Sequence, residues 1–361
     1  MLFVLIILIM IITASSKTAP KGEFVTEYLS KSNTLGIKGI FVILVIFQHY
    51  SQYVSLSSDY DKPFLALQSH LNQLIVAMFL FYSGFGIMEQ IRTKGFAYVK
   101  TVPTKRFLKL LLNFDIAVTL FLILKFCLGS TFPIQKILLS YIGWESLGNS
   151  NWYIFVTLVL YLLVFASFFL IKWLNNNGGR LIGCIVITLL TIAFVYWQMS
   201  IGRPNYTYNT AIIFPLGCWY SLFKPQIDGF VMKNDYFYSF ICFVSLIVYL
   251  WSYYKRWTSI ETYSVWAITF TLMIVFFTMK ISINSNILNW FGSHVFSVYI
   301  LQRIPMIILQ HFGFADKRYL FLIVSIISTI FISMVYDYLT DKLFNKIWRK
   351  SKTTLTTPNH A

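Results

Sequence analysis

The sequence predicts an all-α protein that crosses a membrane many times, and three observations support this prediction. Of the 361 residues, 57% are hydrophobic and only 12% are charged, whereas soluble domains carry about 25% charged residues. The apolar residues occur in runs of about 18 to 22, the length of a membrane-spanning helix, and short polar loops separate the runs. These runs lack the alternation of polar and apolar residues that a membrane β-barrel requires.

Ten segments have the length and composition of spanning helices, and together they define a transmembrane domain at residues 35–340. Residues 1–34 precede it as a short apolar run, too short to span, and a polar cytoplasmic segment. Residues 341–361 follow it as a basic cytoplasmic tail. The predicted spanning segments are 35–56, 71–88, 107–128, 152–173, 181–197, 210–223, 236–254, 263–281, 295–312 and 319–339.

The basic residues predict the orientation of these segments. If residues 15–38 face the cytoplasm and the segments alternate, twenty lysines and arginines lie inside, eight lie outside and Arg303 lies within a segment. Basic residues accumulate on cytoplasmic loops, so both ends of the bundle are predicted to be cytoplasmic. The net charge of +16 is therefore a topology signal. We expect contacts with membrane lipids and none with nucleic acid.

Lys38 and His49 lie eleven positions apart in the first segment. At about 100° and 1.5 Å per residue, the two side chains share one face of the helix and lie about 16 Å apart. A cation is thus predicted at the cytoplasmic mouth and a titratable imidazole deeper in the membrane. His49 has no second histidine at ligand spacing, so we expect no metal site. It is either a proton acceptor or a hydrogen-bonded core histidine.

Two further groups of ionisable residues are candidates for function. Asp115 and Arg303 lie at similar depth in apolar segments, where charges are expensive, and this depth predicts an ion pair. Lys105, Arg106 and Lys109 open the third segment on the cytoplasmic side. They form either a phosphate site at a helix N-terminus or a loop that rests on anionic lipid headgroups.

Three polar motifs complete the candidate set. Ser83 and Gly84 give the second segment a small surface, which another helix or a thin ligand can approach. Trp152 follows two asparagines at the start of the fourth segment, and is either a membrane-interface residue or a surface for a sugar ring. The ninth segment carries Tyr299 and Gln302 beside Arg303.

In this order the motifs resemble the acyltransferase-3 family of integral membrane O-acyltransferases. The family has a basic residue and a histidine eleven positions apart in its first helix, which Lys38 and His49 match. The other likenesses run from the second helix to the ninth: Ser83-Gly84-Phe85, Lys105-Arg106-Phe107-Leu108-Lys109, Trp152-Tyr153 and Ser297-Val298-Tyr299-Ile300-Leu301-Gln302.

The chain departs from the family pattern at two positions. Lys38 stands where the family usually has arginine, so the charge is kept but the bidentate fork is lost. Gln302 stands where histidine is frequent. Because glutamine does not titrate and can only form hydrogen bonds, we expect no acid–base role there.

The resemblance implies transfer of an acyl group, most often acetyl, from cytoplasmic acyl-CoA to a hydroxyl of a cell-envelope polysaccharide or its lipid-linked precursor. Acyl-CoA would be a co-substrate, with no resident cofactor, in the plasma or inner membrane of a bacterium. The implied roles are base for His49, phosphate ligands for Lys38, Lys105, Arg106 and Lys109, and supporting pocket for Ser83, Gly84, Asp115, Trp152, Tyr299, Gln302 and Arg303.

Two other functions are compatible with these residues. A transporter or flippase would use His49, Arg303 and Asp115 as a relay, although the sequence shows no two-fold repeat. A glycan polymerase would work at the outer face, whereas the dense basic cluster lies at the inner mouth. The sequence does not determine the acceptor, the length of the acyl chain or the oligomeric state. It also leaves open whether the acyl group is transferred directly or through an acyl-histidine.

Overall fold

A computed structural model describes residues 1–170 and 177–354 of the chain, with side chains described as far as residue 346. Across these residues the sheet content is limited to two short antiparallel strands, β1 (Ser16–Thr18) and β2 (Ile281–Ile283). A π-helix at Pro103–Leu108 precedes α6. The α-helices are α1 Leu2–Ser15, α2 Leu35–Tyr50, α3 Lys62–Leu71, α4 Leu74–Lys94, α5 Phe96–Val99, α6 Lys109–Cys127, α7 Ile134–Tyr141, α8 Trp152–Leu170, α9 Asn177–Ser200, α10 Ile213–Val231, α11 Asp235–Lys255, α12 Ile260–Lys280, α13 Asn286–Ser293, α14 Val295–Leu301, α15 Arg303–His311 and α16 Arg318–Thr354.

All ten predicted segments coincide with helices of the described structure, which confirms the all-α polytopic membrane fold. Within the described ranges, seven helices are long and apolar enough to cross a membrane, and the number is eight if the bent run of α13 with α14 and α15 is counted as one span. Of the other two, α2 is shorter and α10 is less apolar. Residues 171–173 of the fourth predicted segment and residues 355–361 of the predicted tail lie outside the described residues.

Contacts between helix termini define two ends of the bundle. The start of α2 packs on the strand after α12, because a Cβ atom on Gly36 would lie 2.4 Å from the carbonyl oxygen of Ile283. At the opposite end, the hydroxyl of Tyr50 donates to the carbonyl oxygen of Arg318, 3.0 Å away, at the start of α16. We name the end with the start of α2 the inner end and the end with Tyr50 the outer end, following the predicted orientation, which stays a prediction.

The N-terminal helix α1 runs between these two ends. The amino group of Met1 lies 2.6 Å from Asp61 in the connection between α2 and α4, whereas Ser16, after α1, pairs with Ile283 at the inner end. Arg318 contacts the other Asp61 oxygen at 2.6 Å. Burial opposes ionisation of Asp61, but the two cations and a backbone amide hold its pKa below the usual range. Asp61 thereby joins α1 to α16.

Glycines bring helices α4 and α10 into backbone contact. Between α4 and α10, a Cβ atom on Gly84 would lie 2.0 Å from the carbonyl oxygen of Phe214, and one on Gly217 would lie 2.2 Å from that of Phe81. The approach is reciprocal, because the glycine of each helix contacts the backbone of the other helix. The sequence left open whether another helix or a thin ligand approaches Gly84. In the structure, another helix, α10, packs against it.

The ninth predicted segment contains a break, which the sequence analysis missed. Helix α14 ends at Leu301 and α15 begins at Arg303, with Gln302 between them. Pro305 has no N–H group, so it cannot donate the usual helical hydrogen bond to the carbonyl of Leu301. The preceding helix α13, which the sequence did not predict, meets this run at an angle of 73°. The bend turns α14 back along α2.

The glycine contact between α4 and α10 predicts a difference between two neighbouring substitutions. Gly84→Ala should lower the free energy of unfolding by about 1–3 kcal/mol, because the methyl group overlaps backbone of α10 that cannot move alone. Gly86→Ala is the matched control in the same helix, since a Cβ atom there meets nothing within 4 Å. Thermal unfolding of the purified protein in detergent measures both, and equal shifts for the two variants would contradict the packing.

Candidate active site

Two cavities lie along α2, one towards each end of the bundle. The outer cavity has a volume of about 440 Å³ and is lined by His49, Arg303 and Trp152. The inner cavity has a volume of about 400 Å³ and is lined by Lys38 and Arg106. Both volumes lie in the range of small-molecule binding sites. The two residues that the sequence places on one face of the first helix thus open into different cavities.

His49 occupies the last turn of α2 and is 9% exposed. Its Nε2 atom lies 3.3 Å from the Oγ atom of Ser150. The fully buried Gln302 is also close enough to interact with the imidazole. The Nδ1 atom of His49 and the Oε1 atom of Gln302 make no hydrogen bond of good geometry. The ring therefore has a hydroxyl and an amide beside it, and no carboxylate lines its cavity.

Tyr299 separates the two cavities and lines both of them. Its ring centroid is 5.4 Å from that of Tyr153 and 6.4 Å from that of His49. Its hydroxyl is buried, lies close enough to Ser150 to interact with it, and makes no hydrogen bond of good geometry. A group that extends from the inner cavity towards His49 must therefore pass Tyr299 and Tyr153.

Arg303 does not pair with Asp115, which corrects the ion pair expected from depth. The guanidinium donates to the side-chain oxygen of Gln52 and, over 3.4 Å, to the hydroxyl of Tyr53. Asp115 instead lies near Tyr336 of α16, and its buried Oδ1 atom has no hydrogen-bond partner. Depth along two helices does not specify which faces meet, and the face of α15 that carries Arg303 is turned towards the end of α2.

The outer cavity is lined by amides and aromatic rings and by no aspartate or glutamate. Gln48, Gln73 and Asn149 each present a buried side-chain atom without a hydrogen-bond partner. The ring of Trp152 stands edge-on to that of Tyr206, with centroids 6.1 Å apart. Buried polar atoms are normally paired, so this set is suited to a ligand that carries hydroxyl groups.

Local hydrogen bonds explain how the loop before α8 closes this cavity. The side chain of Asn151 donates to the carbonyl oxygens of Gly143 and Glu145, both at 2.8 Å. The Oδ1 atom of Asn149 accepts from the amide of Leu147 at 3.0 Å. These asparagines shape the loop that presents Ser150 to His49. Sequence analysis singled out the motif but missed Ser150, and serine between two asparagines carries no signal that identifies it.

The inner cavity brings together two of the four predicted phosphate ligands. The Nζ atom of Lys38 lies 5.0 Å from the ring centroid of Tyr82, and the Nε atom of Arg106 donates to the hydroxyl of Tyr98 at 3.0 Å. Ser83 is also in the lining, and its Oγ atom lies 3.1 Å from the hydroxyl of Tyr161. No acidic residue lines this cavity, so its two cations give it a positive charge.

Lys105 and Lys109 do not line the inner cavity. Lys105 is exposed, and the Nζ atom of Lys109 lies 5.8 Å from the ring centroid of Phe344 in α16. An α-helix would place Arg106 and Lys109 on one face, and the wider turn of the π-helix at Pro103–Leu108 increases the angle between them. Gly84 and Asp115 also lie outside both linings.

Comparison with known proteins gives one result. A family model described as an acyltransferase domain matches residues 36–338. The match begins in the first turn of α2, ends within α16 and includes every residue that lines the two cavities. No curated protein and no solved structure matches the chain.

The contacts of Arg303 predict which double mutants are coupled. Arg303→Gln and Gln52→Ala should be non-additive by about 0.5–3 kcal/mol in unfolding free energy, because the two side chains share a hydrogen bond. Arg303→Gln and Asp115→Asn should be additive within about 0.5 kcal/mol, because no contact joins them. Unfolding midpoints of the single and double variants test both. Coupling of Arg303 with Asp115 alone would contradict this arrangement.

Proposed function

The chain belongs to the acyltransferase-3 family of membrane acyltransferases, and we propose that it moves an acyl group, most often acetyl, from cytoplasmic acyl-CoA to a hydroxyl of a cell-envelope polysaccharide or its lipid-linked precursor. The observation that carries the proposal is the pair of cavities that meet at Tyr299. One contains cations, and the other contains a buried histidine among hydroxyl and amide groups. The membrane in question is the plasma or inner membrane of a bacterium.

The inner cavity is the proposed donor site. Acyl-CoA carries phosphates, and Lys38 and Arg106 are cations in a lining that holds no carboxylate. A lysine binds phosphate as a point charge, whereas arginine can bind it through two parallel hydrogen bonds. Acyl-CoA is a co-substrate that enters and leaves at the inner end. Its long thin arm would extend from these cations towards Tyr299.

The outer cavity is the proposed acceptor site. The unpaired amide atoms of Gln48, Gln73 and Asn149 can bind sugar hydroxyls, since amides both donate and accept hydrogen bonds. Trp152 and Tyr206 provide an aromatic wall of the kind on which a sugar ring packs. The absence of aspartate and glutamate from the lining also suits an acceptor with anionic groups.

His49 is the proposed general base. Its Nε2 atom faces a hydroxyl, and the neutral imidazole can accept a proton there. The attack of a hydroxyl on the thioester carbonyl creates a negatively charged oxygen. The hydroxyl of Tyr299, which has no hydrogen bond of good geometry, is available to stabilise it. Arg303 lines the same cavity and adds a positive charge.

Replacement of His49 tests the proposal directly. His49→Ala should lower the rate of acyl transfer by about 10²–10⁴-fold, the usual contribution of a general base. Binding of acyl-CoA should be unchanged, because the cations of the inner cavity are intact. Transfer is measured by mass spectrometry of envelope glycans from complemented deletion strains and by release of CoA from purified protein.

The matched control is His311→Ala, since His311 is exposed at the end of α15 and lines neither cavity. It should transfer acyl groups at the wild-type rate. Undiminished transfer by His49→Ala would remove His49 from the reaction. Envelope glycans of unchanged mass in a strain that lacks the protein would overturn the proposed acceptor.

Charge changes at the inner end test the donor site. Lys38→Glu should raise the KM for acyl-CoA about tenfold or more, because a hydrogen bond to a charged group contributes about 1.5–3 kcal/mol. Lys38→Arg should keep the KM near its wild-type value. Lys109→Glu should have a smaller effect than Lys38→Glu, because Lys109 faces Phe344. If Lys38→Glu and Lys109→Glu raised the KM equally, the overall charge at the inner end, and not a specific contact of Lys38, would determine the binding of acyl-CoA.

A further inference from the structure

We propose that Ser150 is a catalytic nucleophile that carries the acyl group as a serine ester between acyl-CoA and the acceptor. The inference rests on the proposed function and makes it more specific, since it replaces direct transfer with a covalent acyl-enzyme. It assigns a role to the hydroxyl of a residue that no sequence motif identifies. It also gives His49 a proton to accept from within the protein.

The geometry at Ser150 is that of a nucleophile beside its base. Ser150 is 5% exposed, and its Oγ atom lies 3.3 Å from the Nε2 atom of His49 inside the outer cavity. Nucleophile and base are normally within hydrogen-bond reach, and the distance is often longer before substrate binds. With Nε2 unprotonated, the hydroxyl of Ser150 donates to it. The same hydrogen bond that orients the serine also activates it.

Two further groups complete the arrangement. Gln302 lies close enough to interact with the imidazole, and its Nε2 atom donates to the carbonyl oxygen of Tyr299 at 3.0 Å. This bond fixes the amide. Its oxygen and the Nδ1 atom of His49 are both unpaired, so the two can form a hydrogen bond that orients the ring when the site tightens around substrate. A neutral amide has this role in cysteine proteases. The hydroxyl of Tyr299 lies next to Ser150, where the oxyanion of an attacked carbonyl would form.

The reaction balances in two steps. In the first, the Oγ atom of Ser150 attacks the carbonyl carbon of the thioester, His49 takes the serine proton, the carbon–sulfur bond breaks and the proton passes to the CoA thiolate. In the second, an acceptor hydroxyl attacks the serine ester and gives its proton to His49. The carbon–oxygen bond to Ser150 then breaks, and Ser150 regains the proton. No further reactant is needed.

The separation of the cavities also favours a covalent intermediate. Donor and acceptor would approach from opposite ends, and Tyr299 with Tyr153 stands between them. In direct transfer both substrates must be bound while this layer is open. An acyl group on Ser150 belongs to the outer cavity, so CoA can leave and the layer can close before the acceptor binds.

Exchange of CoA without acceptor tests this inference. The purified full-length protein is incubated with acetyl-CoA and radiolabelled free CoA, and the label in acetyl-CoA is measured. We expect exchange by the wild type, because the first step is reversible, and loss of exchange to background in Ser150→Ala and His49→Ala. The control Ser51→Ala should exchange normally, since the hydroxyl of Ser51 donates to the Gln48 carbonyl at 3.0 Å and lines neither cavity.

A second measurement locates the acyl group. After incubation with labelled acetyl-CoA and denaturation, peptide mass spectrometry should find one acetyl group on Ser150. Ser150→Cys keeps a nucleophile in place and should carry the acetyl group as a thioester that neutral hydroxylamine removes. This variant keeps the test decisive if Ser150→Ala does not fold, and thermal unfolding of each variant reports on folding.

Three results would overturn the inference while leaving the proposed function intact. They are transfer and exchange by Ser150→Ala at wild-type rates, acetylation of His49 in place of Ser150, and transfer to glycan by a wild type that never exchanges CoA. A folded Ser150→Cys variant that neither exchanges nor becomes labelled also overturns it. If the wild type neither transfers nor exchanges, the proposed function fails and this inference fails with it.

Discussion

The close contact of α2 with α13 is the constraint on which the candidate site depends. A Cβ atom on Gly39 would lie 1.9 Å from the carbonyl oxygen of Leu288, and one on Gly292 would lie 2.0 Å from that of Leu35. Only glycine allows this approach. Because α13 leads directly into α14, the contact brings Tyr299 and Gln302 to the face of α2 that carries His49. The positions of Tyr299 and Gln302 relative to His49 follow from this pair of glycines.

The outer cavity holds polar groups that the protein leaves unsatisfied. An unpaired buried polar atom costs free energy, and a ligand can supply the missing partner where such atoms line a cavity. The amides of Gln48, Gln73 and Asn149, the hydroxyl of Tyr299 and the Nε atom of Arg303 all belong to this one cavity. Their convergence on His49 is more informative than any one of them, because a packing defect would not collect them around a base.

The layer formed by Tyr299 and Tyr153 lies between the cations of the inner cavity and the amides of the outer cavity. In the proposed reaction this layer would keep donor and acceptor apart and would limit access of water to the thioester, whose hydrolysis competes with transfer. His49 lies just beyond this layer, where it would act as base in both of the proposed half-reactions.

Composition and hydropathy were sufficient to predict the helices, because spanning the hydrocarbon core demands long apolar runs wherever they pack. The spacing of Lys38 and His49 was predictable for the same reason, since α2 is one unbroken helix. Three other features were not predictable from the sequence. These are the hydrogen bonds of Arg303, the separation of Lys109 from Arg106 and the contact of Ser150 with His49. They depend on the faces that α15 and α2 present to each other, on a π-helix and on a loop folded by its own asparagines. These features rotate side chains about a helix axis or carry them across the bundle, and only packing between helices determines where they then lie.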